Sequence, residues 1–296
     1  MKITYPIFIA ALFAMASCSS DNDDAQNDLY VSIPDEHFET ILIDQGIDSD
    51  GMVNQRMLKT DAEGITELDL SFSGKGTIKD LTGIEGFVNL KQLSAIQQEL
   101  EQIDLSSNTQ LDTLYLMGNY LTSIDVSNNP NLILLDLKVN SLSSIKGLSK
   151  TTQLKDLRLS FNSFEEISIN NPSLENLLMS HNELTTFDVE GAVNLKNILL
   201  RLNKIKELDF SSNIALENVF VDSNKLETIN FGTNINYKYL NLHNNLLSQL
   251  DVSDYHELVK ITINNNPDLS CIKIDAGQEI PTIEKSDNQE FSTVCE

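Results

Sequence analysis

Apolar residues recur along this chain in a short unit that repeats every 20 to 22 residues. In the segment 111–126 they occupy Leu111, Leu114, Leu116, Leu121, Ile124 and Val126. The alternation of apolar and polar positions through Leu116 predicts a short strand with one buried face. The second apolar set lies beyond Asn119 and predicts another extended segment, which returns on the opposite side.

The first apolar position of the unit can be followed through nine consecutive copies. It falls at Leu90, Leu111, Leu132, Leu154, Leu174, Leu195, Leu216, Tyr237 and Leu258. A longer unit begins earlier, at Ile65. The spacing and the pattern L-x-x-L-x-L-x-x-N-x-L are those of a leucine-rich repeat.

One such unit cannot bury its apolar side alone, so a core forms only when the units stack. Because the unit is too short for a helical return, we expect a mostly β solenoid. It has a parallel sheet on its concave face and short extended returns. The predicted divisions are an N-terminal cap at 31–64, repeats at 65–265 and a C-terminal cap at 266–296.

A column of carboxamides marks the turn that follows each strand. It consists of Gln98 and then Asn119, Asn140, Asn162, Asn182, Asn203, Asn224, Asn245 and Asn266. A buried carboxamide can both donate hydrogen bonds to the main chain and accept them from it. We therefore interpret this column as a structural asparagine ladder with no catalytic role.

A second column, of aspartates, follows the returning segments. Its members are Asp104, Asp125, Asp188, Asp209 and Asp251. A cation bridging some of them is conceivable on spacing alone. The favoured interpretation is that they are solvated and accept hydrogen bonds from the turn that follows each of them.

The N-terminal cap is predicted to contain a helix that opens within residues 33–39. Pro34 stands near its first position, acidic residues fill its first turn, and Gly46 indicates its end. The segment Asp48-Ser49-Asp50-Gly51 resembles the start of a calcium-binding loop. The glutamate expected at the twelfth position is missing, so an ordinary acidic turn is favoured and no metal site is predicted.

Residues 1–17 are predicted to be a lipoprotein signal peptide, because a positive start precedes an apolar run too short to span a bilayer. Met15-Ala16-Ser17-Cys18 resembles the lipobox of bacterial lipoproteins, which implies that Cys18 carries the lipid. An ordinary secretory signal is the alternative. Residues 18–30 are predicted to be a flexible acidic tether, and its Ser-Ser-Asp-Asn-Asp-Asp resembles a surface-export signal of Bacteroidetes lipoproteins.

Cys271 and Cys295 bracket the C-terminal segment and would be the only remaining pair if Cys18 carries a lipid. A location in the cell envelope permits a disulfide between them. Two free thiols or a metal-binding pair are the alternative.

The phrase Leu81-Thr82-Gly83-Ile84-Glu85-Gly86-Phe87 and the repeats after it resemble internalin-like leucine-rich repeat lipoproteins of Bacteroidetes. The resemblance covers nearly the whole mature chain and implies an extracellular interaction protein at the outer membrane, surface-exposed. Because members of this family bind diverse ligands, it implies no particular partner. The net charge of −24 argues against nucleic acid and against anionic membrane surfaces, leaving the lipid as the only membrane contact.

The strand residues that point away from the core are the candidate ligand-binding face. The candidates are Tyr115, Met117, Arg158, Phe161, Leu178, Leu199, Arg201, Phe220, Tyr239 and His243. Exposed apolar patches with polar rims mark interaction sites, in which tyrosine and arginine are favoured anchors. Scattered apolar residues without function are the alternative.

The predicted role is protein binding or adhesion at the cell surface, with an extracellular or host protein as partner. One alternative is binding of polysaccharide, with Tyr115 and Tyr239 stacking on sugar rings. Another is a structural envelope protein without a discrete ligand. No cofactor or enzyme activity is predicted, because no nucleophile has a fixed base nearby, and an acid pair such as Asp136 and Asp156 is routine in stacked repeats.

Overall fold

The predicted stacking of coils is confirmed by the computed structural model, which describes residues 29–72, 74 and 76–295. Parallel strands form a solenoid with few helices. The predicted signal peptide, Cys18 and the tether through residue 28 lie outside the described residues. Among those that are described, no helix has the length and apolar character needed to span a bilayer.

One sheet of eleven parallel strands runs along the described solenoid in sequence order. Its strands are Glu67–Asp69, Gln92–Ser94, Thr113–Tyr115, Leu134–Asp136, Asp156–Arg158, Asn176–Leu178, Asn197–Leu199, Asn218–Phe220, Tyr239–Asn241, Lys260–Thr262 and Thr282–Glu284. The middle residue of a strand, such as Leu114 or Leu177, is fully buried. The residues on either side of it point away from the core, and their surface is called the strand face below.

The returning segments form short parallel sheets on the opposite side, as the second apolar set predicts. The return strands are Ser123–Asp125, Ser144–Lys146, Glu166–Ser168, Thr186–Asp188, Glu207–Asp209, Thr228–Asn230, Leu250–Asp251, Cys271–Lys273 and Glu290–Ser292. Three-residue 3-10 turns at Ile84–Gly86 and Leu148–Lys150 interrupt this side. The core lies between the two sets of strands and continues from coil to coil.

The carboxamides of the predicted ladder form hydrogen bonds between adjacent coils. The side-chain oxygen of Asn182 accepts a hydrogen bond from the backbone N–H of Phe164 on the preceding coil, at 3.1 Å. Its amide donates to the carbonyls of Leu159 and Met179, at 3.0 and 3.2 Å. Gln98 makes the same two kinds of bond at the start of the column. Each side chain therefore joins its own coil to the one before it.

A second set of buried asparagines, which the sequence analysis missed, lines the turns that lead into five of the strands. The members are Asn108, Asn129, Asn171, Asn213 and Asn234. The amide of Asn213 donates to the carbonyls of Val189 and Ala192, both at 2.9 Å. In the sequence these asparagines can be recognised by their position, because each stands three residues before the first apolar residue of the next unit.

The aspartate column behaves as predicted. Asp104, Asp125 and Asp209 each accept a hydrogen bond from the backbone N–H two residues later, at 2.8 to 2.9 Å. Hydrogen bonds from the hydroxyl and amide of Ser211 lower the pKa of Asp209, and the Lys146 ammonium lowers that of Asp125. These carboxylates therefore remain ionised while they organise their turns.

The N-terminal cap consists of an antiparallel hairpin, Tyr30–Ser32 with Arg56–Leu58, and two helices. Helix α1 spans Glu36–Asp44, and the five-residue helix α2 spans Lys59–Glu63. On α1, Phe38 and Leu42 are fully buried. The ring of Phe38 lies 6.4 Å from that of Phe87 in the first coil, so α1 covers the open end of the solenoid.

Pro34 lies two residues before the first helical residue, Glu36. Asp35 is the N-cap, because its carboxylate accepts from the backbone N–H groups of His37 and Phe38. Pro34 therefore precedes the cap. The other oxygen of Asp35 accepts from Lys79 N–H at 2.8 Å, so one side chain both starts the helix and fixes it to the repeats.

The C-terminal end contains the predicted Cys271–Cys295 disulfide, with the two Cα atoms 5.8 Å apart. Cys271 begins a return strand, and Cys295 follows the last one. The bond therefore holds the final coil against its neighbour. Ile283, an apolar position of the predicted cap, is 41% exposed, because its strand is the terminal strand of the sheet.

Candidate interaction face

The strand register places the predicted central residues side by side. Leu178 pairs with Leu199, and Leu199 pairs with Phe220. The full column reads Ser94, Tyr115, Asp136, Arg158, Leu178, Leu199, Phe220, Asn241 and Thr262. Residues that are 20 to 22 positions apart in the sequence thus form one continuous line across the strand face.

Three consecutive members of this line are apolar and partly exposed: Leu178, Leu199 and Phe220, called the central apolar column below. The core is already filled by the middle residues of the same strands, such as Ile198 and Val219. Burying the outward side chains would therefore require another molecule. This is the arrangement expected of a contact surface.

A parallel line of residues follows the edge of the strand face, one position before each ladder asparagine. These residues adopt left-handed backbone conformations, with φ between 55° and 60°, at Gln97, Val139, Phe161, His181, Leu202, Ser223, Asn244 and Asn265. We call this line the left-handed column. At Val139, Phe161 and Leu202 it carries side chains that are 50%, 51% and 45% exposed.

Left-handed backbone is unfavourable for residues other than glycine, by about 1–2 kcal/mol each. Gly118 occupies this position in one coil, with φ of 76°, and removes that cost there. In other coils a hydrogen bond from the ladder amide offsets part of this cost. The Asn182 amide, for example, lies 3.4 Å from the carbonyl of Ser180. Phe161 and His181 stack on each other, with ring centroids 4.1 Å apart, which gives the column a flat apolar surface.

The two predicted arginines are engaged in ion pairs within the strand face. Arg158 pairs with Asp156 at 2.9 Å and with Asp136 at 3.5 Å, and these carboxylates raise its pKa. Arg201 pairs with Asp222 at 2.8 Å. These ion pairs hold the guanidinium groups in place. Less side-chain conformational entropy is therefore lost when a partner binds.

The opposite edge of the strand face carries alternating charges. Lys155 and Lys196 both pair with Glu175, at 3.2 and 2.9 Å, and Lys238 pairs with Glu217 at 2.9 Å. Opposite charges alternate here at intervals of one coil. The strand face therefore has a polar border along the edge away from the left-handed column.

The remaining predicted residues lie towards the two ends of the strand face. Tyr115, which ends the third strand, and Met117, two residues beyond it, are partly exposed. Tyr239 is 41% exposed, and His243 donates through Nδ1–H to the Asn264 carbonyl at 3.2 Å. Tyr239 also lines a cavity of about 150 Å³ with Phe220. Drug-sized ligands occupy pockets of about 300–1,000 Å³, so this depression suits a protruding side chain better.

The predicted candidates do not assemble into a catalytic constellation. The guanidinium of Arg158 pairs with both Asp136 and Asp156. The two acids therefore belong to an ion-pair network. Within the described ranges, no group of three or more His, Cys, Asp or Glu residues is placed to hold a metal.

Another apolar surface, absent from the sequence-based candidates, lies outside the strand face. Val193, Ile214 and Ile235 are 40%, 60% and 58% exposed and occupy equivalent positions on three successive coils. We call them the lateral apolar stripe. In the sequence these residues can be recognised only by their position, because each stands two residues before the first apolar residue of its unit.

These features define a leucine-rich repeat solenoid. No protein-family model and no curated protein matches the chain, but solved structures do. The functional domain of InlJ from Listeria monocytogenes is similar with a TM-score of 0.71 and 24% identity, over 86% of this chain and 61% of that domain. The chain thus spans less than two thirds of that domain's length.

Two further structures support the same fold. A leucine-rich repeat protein of Leptospira interrogans has a TM-score of 0.59 and 18% identity, over 79% of this chain and 74% of its own. Internalin C2 of Listeria monocytogenes has a TM-score of 0.57 and 20% identity, over 80% and 96%. Internalin-type repeat proteins are therefore among the structural neighbours of this chain, and at these identities the likeness concerns the fold.

Proposed function

We propose that this chain is an extracellular binding protein whose strand face recognises another protein. The observation that carries the proposal is the central apolar column, which remains partly exposed although the core beneath it is complete. Phe161 and Leu202 of the left-handed column extend the apolar area towards one edge. The ion-paired residues between and beside these columns supply a polar rim, as in known interfaces.

The shape of the strand face supports a protein partner over a small ligand. The cavity beside Phe220 is shallow, and most candidate side chains lie on an open surface. A structure with a similar fold, at a TM-score of 0.55, is the FLRT2 repeat domain in an octameric complex with Latrophilin 3 and Unc5D. The solenoid fold thus serves protein association in that case.

The positions of the candidate tyrosines give less support to glycan binding than the sequence pattern did. The two candidate stacking residues, Tyr115 and Tyr239, belong to strands that have five other strands between them. They also stand in different columns, because Tyr115 pairs with Asp136 whereas Tyr239 pairs with Asn218. One short saccharide could not stack on both rings.

The proposed location is the outer face of the outer membrane, with a lipid on Cys18. This proposal rests on the lipobox-like Met15–Cys18 and on the acidic segment after it. Growth with a labelled fatty acid is expected to label the wild-type protein and to leave a Cys18→Ala variant unlabelled. Equal labelling of both proteins would contradict the anchor.

Removing the central apolar column is expected to weaken recognition. A Leu178→Ala, Leu199→Ala, Phe220→Ala variant should lose at least about tenfold in affinity for any protein that the wild type captures, because each truncated anchor costs about 1 kcal/mol or more. The measurement is binding to an array of purified extracellular and cell-surface proteins, followed by titration of each hit.

The matched control removes the same kind of surface elsewhere. A Val193→Ala, Ile214→Ala, Ile235→Ala variant truncates the lateral apolar stripe and is expected to bind like the wild type. If the control loses binding and the strand-face variant keeps it, the interface lies on the stripe. A signal confined to a glycan array would replace the protein partner with a saccharide.

A further inference from the structure

The loop between helix α1 and the hairpin strand Arg56–Leu58 holds a set of oxygen-bearing side chains that the interaction role does not use. Asp48 lies in this loop, and Asp50 and Asn54 follow it two and six residues later. Asp48 is 4% exposed, which is unusual for a carboxylate in a loop. Gly51 has a φ of 67°, which allows the chain to fold back between Asp50 and Asn54.

Two buried oxygens of this loop have no hydrogen-bond partner among the described residues: Asp48 Oδ2 and Asn54 Oδ1. The remaining side-chain groups are occupied. Asp48 Oδ1 accepts from the Asp50 backbone N–H at 3.4 Å, and Asp50 Oδ2 accepts from the Asn54 amide at 2.8 Å. Buried oxygens without partners are costly, and an unpaired carboxylate oxygen especially so.

The electrostatic surroundings add to this cost. Burial and the negative charges of Asp50, Glu39 and Asp61 oppose the ionised form of Asp48. In the described part of the chain, the ion pairs include none at Asp48 or Asp50. Negative charge is therefore concentrated around a buried position, and the ion pairs recorded among the described residues do not balance it there.

The loop is also held rigidly in place. Glu39 of α1 is fully buried and accepts from the backbone N–H groups of Asn54, Gln55 and Arg56, at 2.9, 3.0 and 3.1 Å. Ser49 donates to Asp61 through both its backbone N–H and its hydroxyl. The two oxygens without partners thus belong to a fixed framework.

We propose that this loop binds one divalent cation, Ca²⁺, through Asp48 Oδ2 and Asn54 Oδ1, with the carboxylate of Asp50 beside them. Ca²⁺ takes carboxylate, carboxamide and backbone carbonyl oxygens in irregular geometry, whereas Mg²⁺ requires near-ideal octahedral geometry. Only two acidic residues contribute, which is consistent with the finding that no group of three or more His, Cys, Asp or Glu residues in the described chain is placed for a metal.

The sequence pattern alone did not decide whether this loop binds a cation. The spacing of Asp48 and Asp50 resembles the start of a calcium loop, but Lys59 stands where a bidentate glutamate is expected. The burial of Asp48 and the oxygens without partners become visible only in three dimensions. With few charged ligands, the Kd is expected near about 0.1–1 mM, the range of extracellular calcium modules.

The test is calorimetric titration and thermal unfolding of the purified, metal-stripped full chain with CaCl₂ or MgCl₂. The wild type is expected to bind one Ca²⁺ saturably and to gain several degrees in Tm, with a smaller gain from Mg²⁺. Asp48→Asn should lose both the heat and the gain, while unfolding at a higher temperature than the wild type without metal, because a buried charge has been removed.

Two further variants keep the test decisive. Asp209→Asn alters an aspartate that accepts from Ser211 N–H in a similar turn and should retain the calcium response. Asn54→Asp adds a charged ligand and should tighten Ca²⁺ binding by about tenfold. The proposal is overturned if Ca²⁺ produces neither heat nor a Tm shift. It is also overturned if binding does not saturate, if Asp48→Asn responds like the wild type, or if Asn54→Asp binds no more tightly.

Discussion

Replacing Asn182 by alanine is expected to lower the free energy of unfolding by about 1–3 kcal/mol, the penalty for leaving buried polar groups without partners. The substitution removes the acceptor of the Phe164 N–H and the donor to the Leu159 and Met179 carbonyls. All three backbone groups lie at the turn between the strand and its return. Water has little access there, because Asn182 is 5% exposed.

The measurement is urea denaturation followed by circular dichroism, with Asn128→Ala as the control. Asn128 is an exposed turn residue three coils nearer the N-terminus, and its loss should change stability by less than about 0.5 kcal/mol. An unchanged unfolding midpoint in Asn182→Ala would show that the ladder is not a source of stability. Because coils are coupled through their interfaces, the transition of the variant is also expected to become broader.

The repeat pattern predicted most of the fold because a 21-residue unit can bury its leucines in few ways. The positions of Leu114 and Leu177 in the sequence already identify the middle of a strand, and the structure places both in the core. Tyr237 replaces the first leucine of one unit and is still fully buried, with its hydroxyl 3.2 Å from the Phe231 carbonyl. Burial raises the pKa of Tyr237 to about 12.

Two features of the strand face could not be predicted, because they depend on backbone conformation and on neighbouring coils. The left-handed column is invisible in the sequence, since Val139 and Phe161 are not residues that favour positive φ. The pairing of Arg158 with two aspartates depends on the register of adjacent strands. The sequence analysis therefore placed Arg158 among the candidate anchors, and the structure shows that it pairs with Asp136 and Asp156.

The lateral apolar stripe was missed for a different reason. Ile214 and Ile235 stand in turns that the pattern describes as solvated, and single exposed apolar residues need no explanation. Their significance appears only when successive coils are superposed and the side chains fall into line. Repeat proteins therefore require that every position of the unit be compared across coils, including those outside the leucine pattern.

Removing the disulfide is expected to destabilise the last coil by about 3 kcal/mol, the value that loop-closure entropy gives for a loop of this length. Cys271 and Cys295 are 24 residues apart, and the segment between them contains the strands Thr282–Glu284 and Glu290–Ser292. Each of these strands is the terminal strand of its sheet and pairs with a neighbour on one side only. The covalent bond therefore replaces the contacts that a further coil would supply.

The effect should be local, because coils in a solenoid contact mainly their neighbours. In a Cys271→Ser, Cys295→Ser variant, backbone amides of 282–292 are expected to exchange with solvent at least about a hundredfold faster, whereas those of Asn197–Leu199 should keep their protection. Adding dithiothreitol to the wild type should reproduce this change and should leave the double variant unaffected. Equal protection of 282–292 in the oxidised, reduced and substituted proteins would show that packing of Ile272 and Phe291 is sufficient to hold the final coil closed.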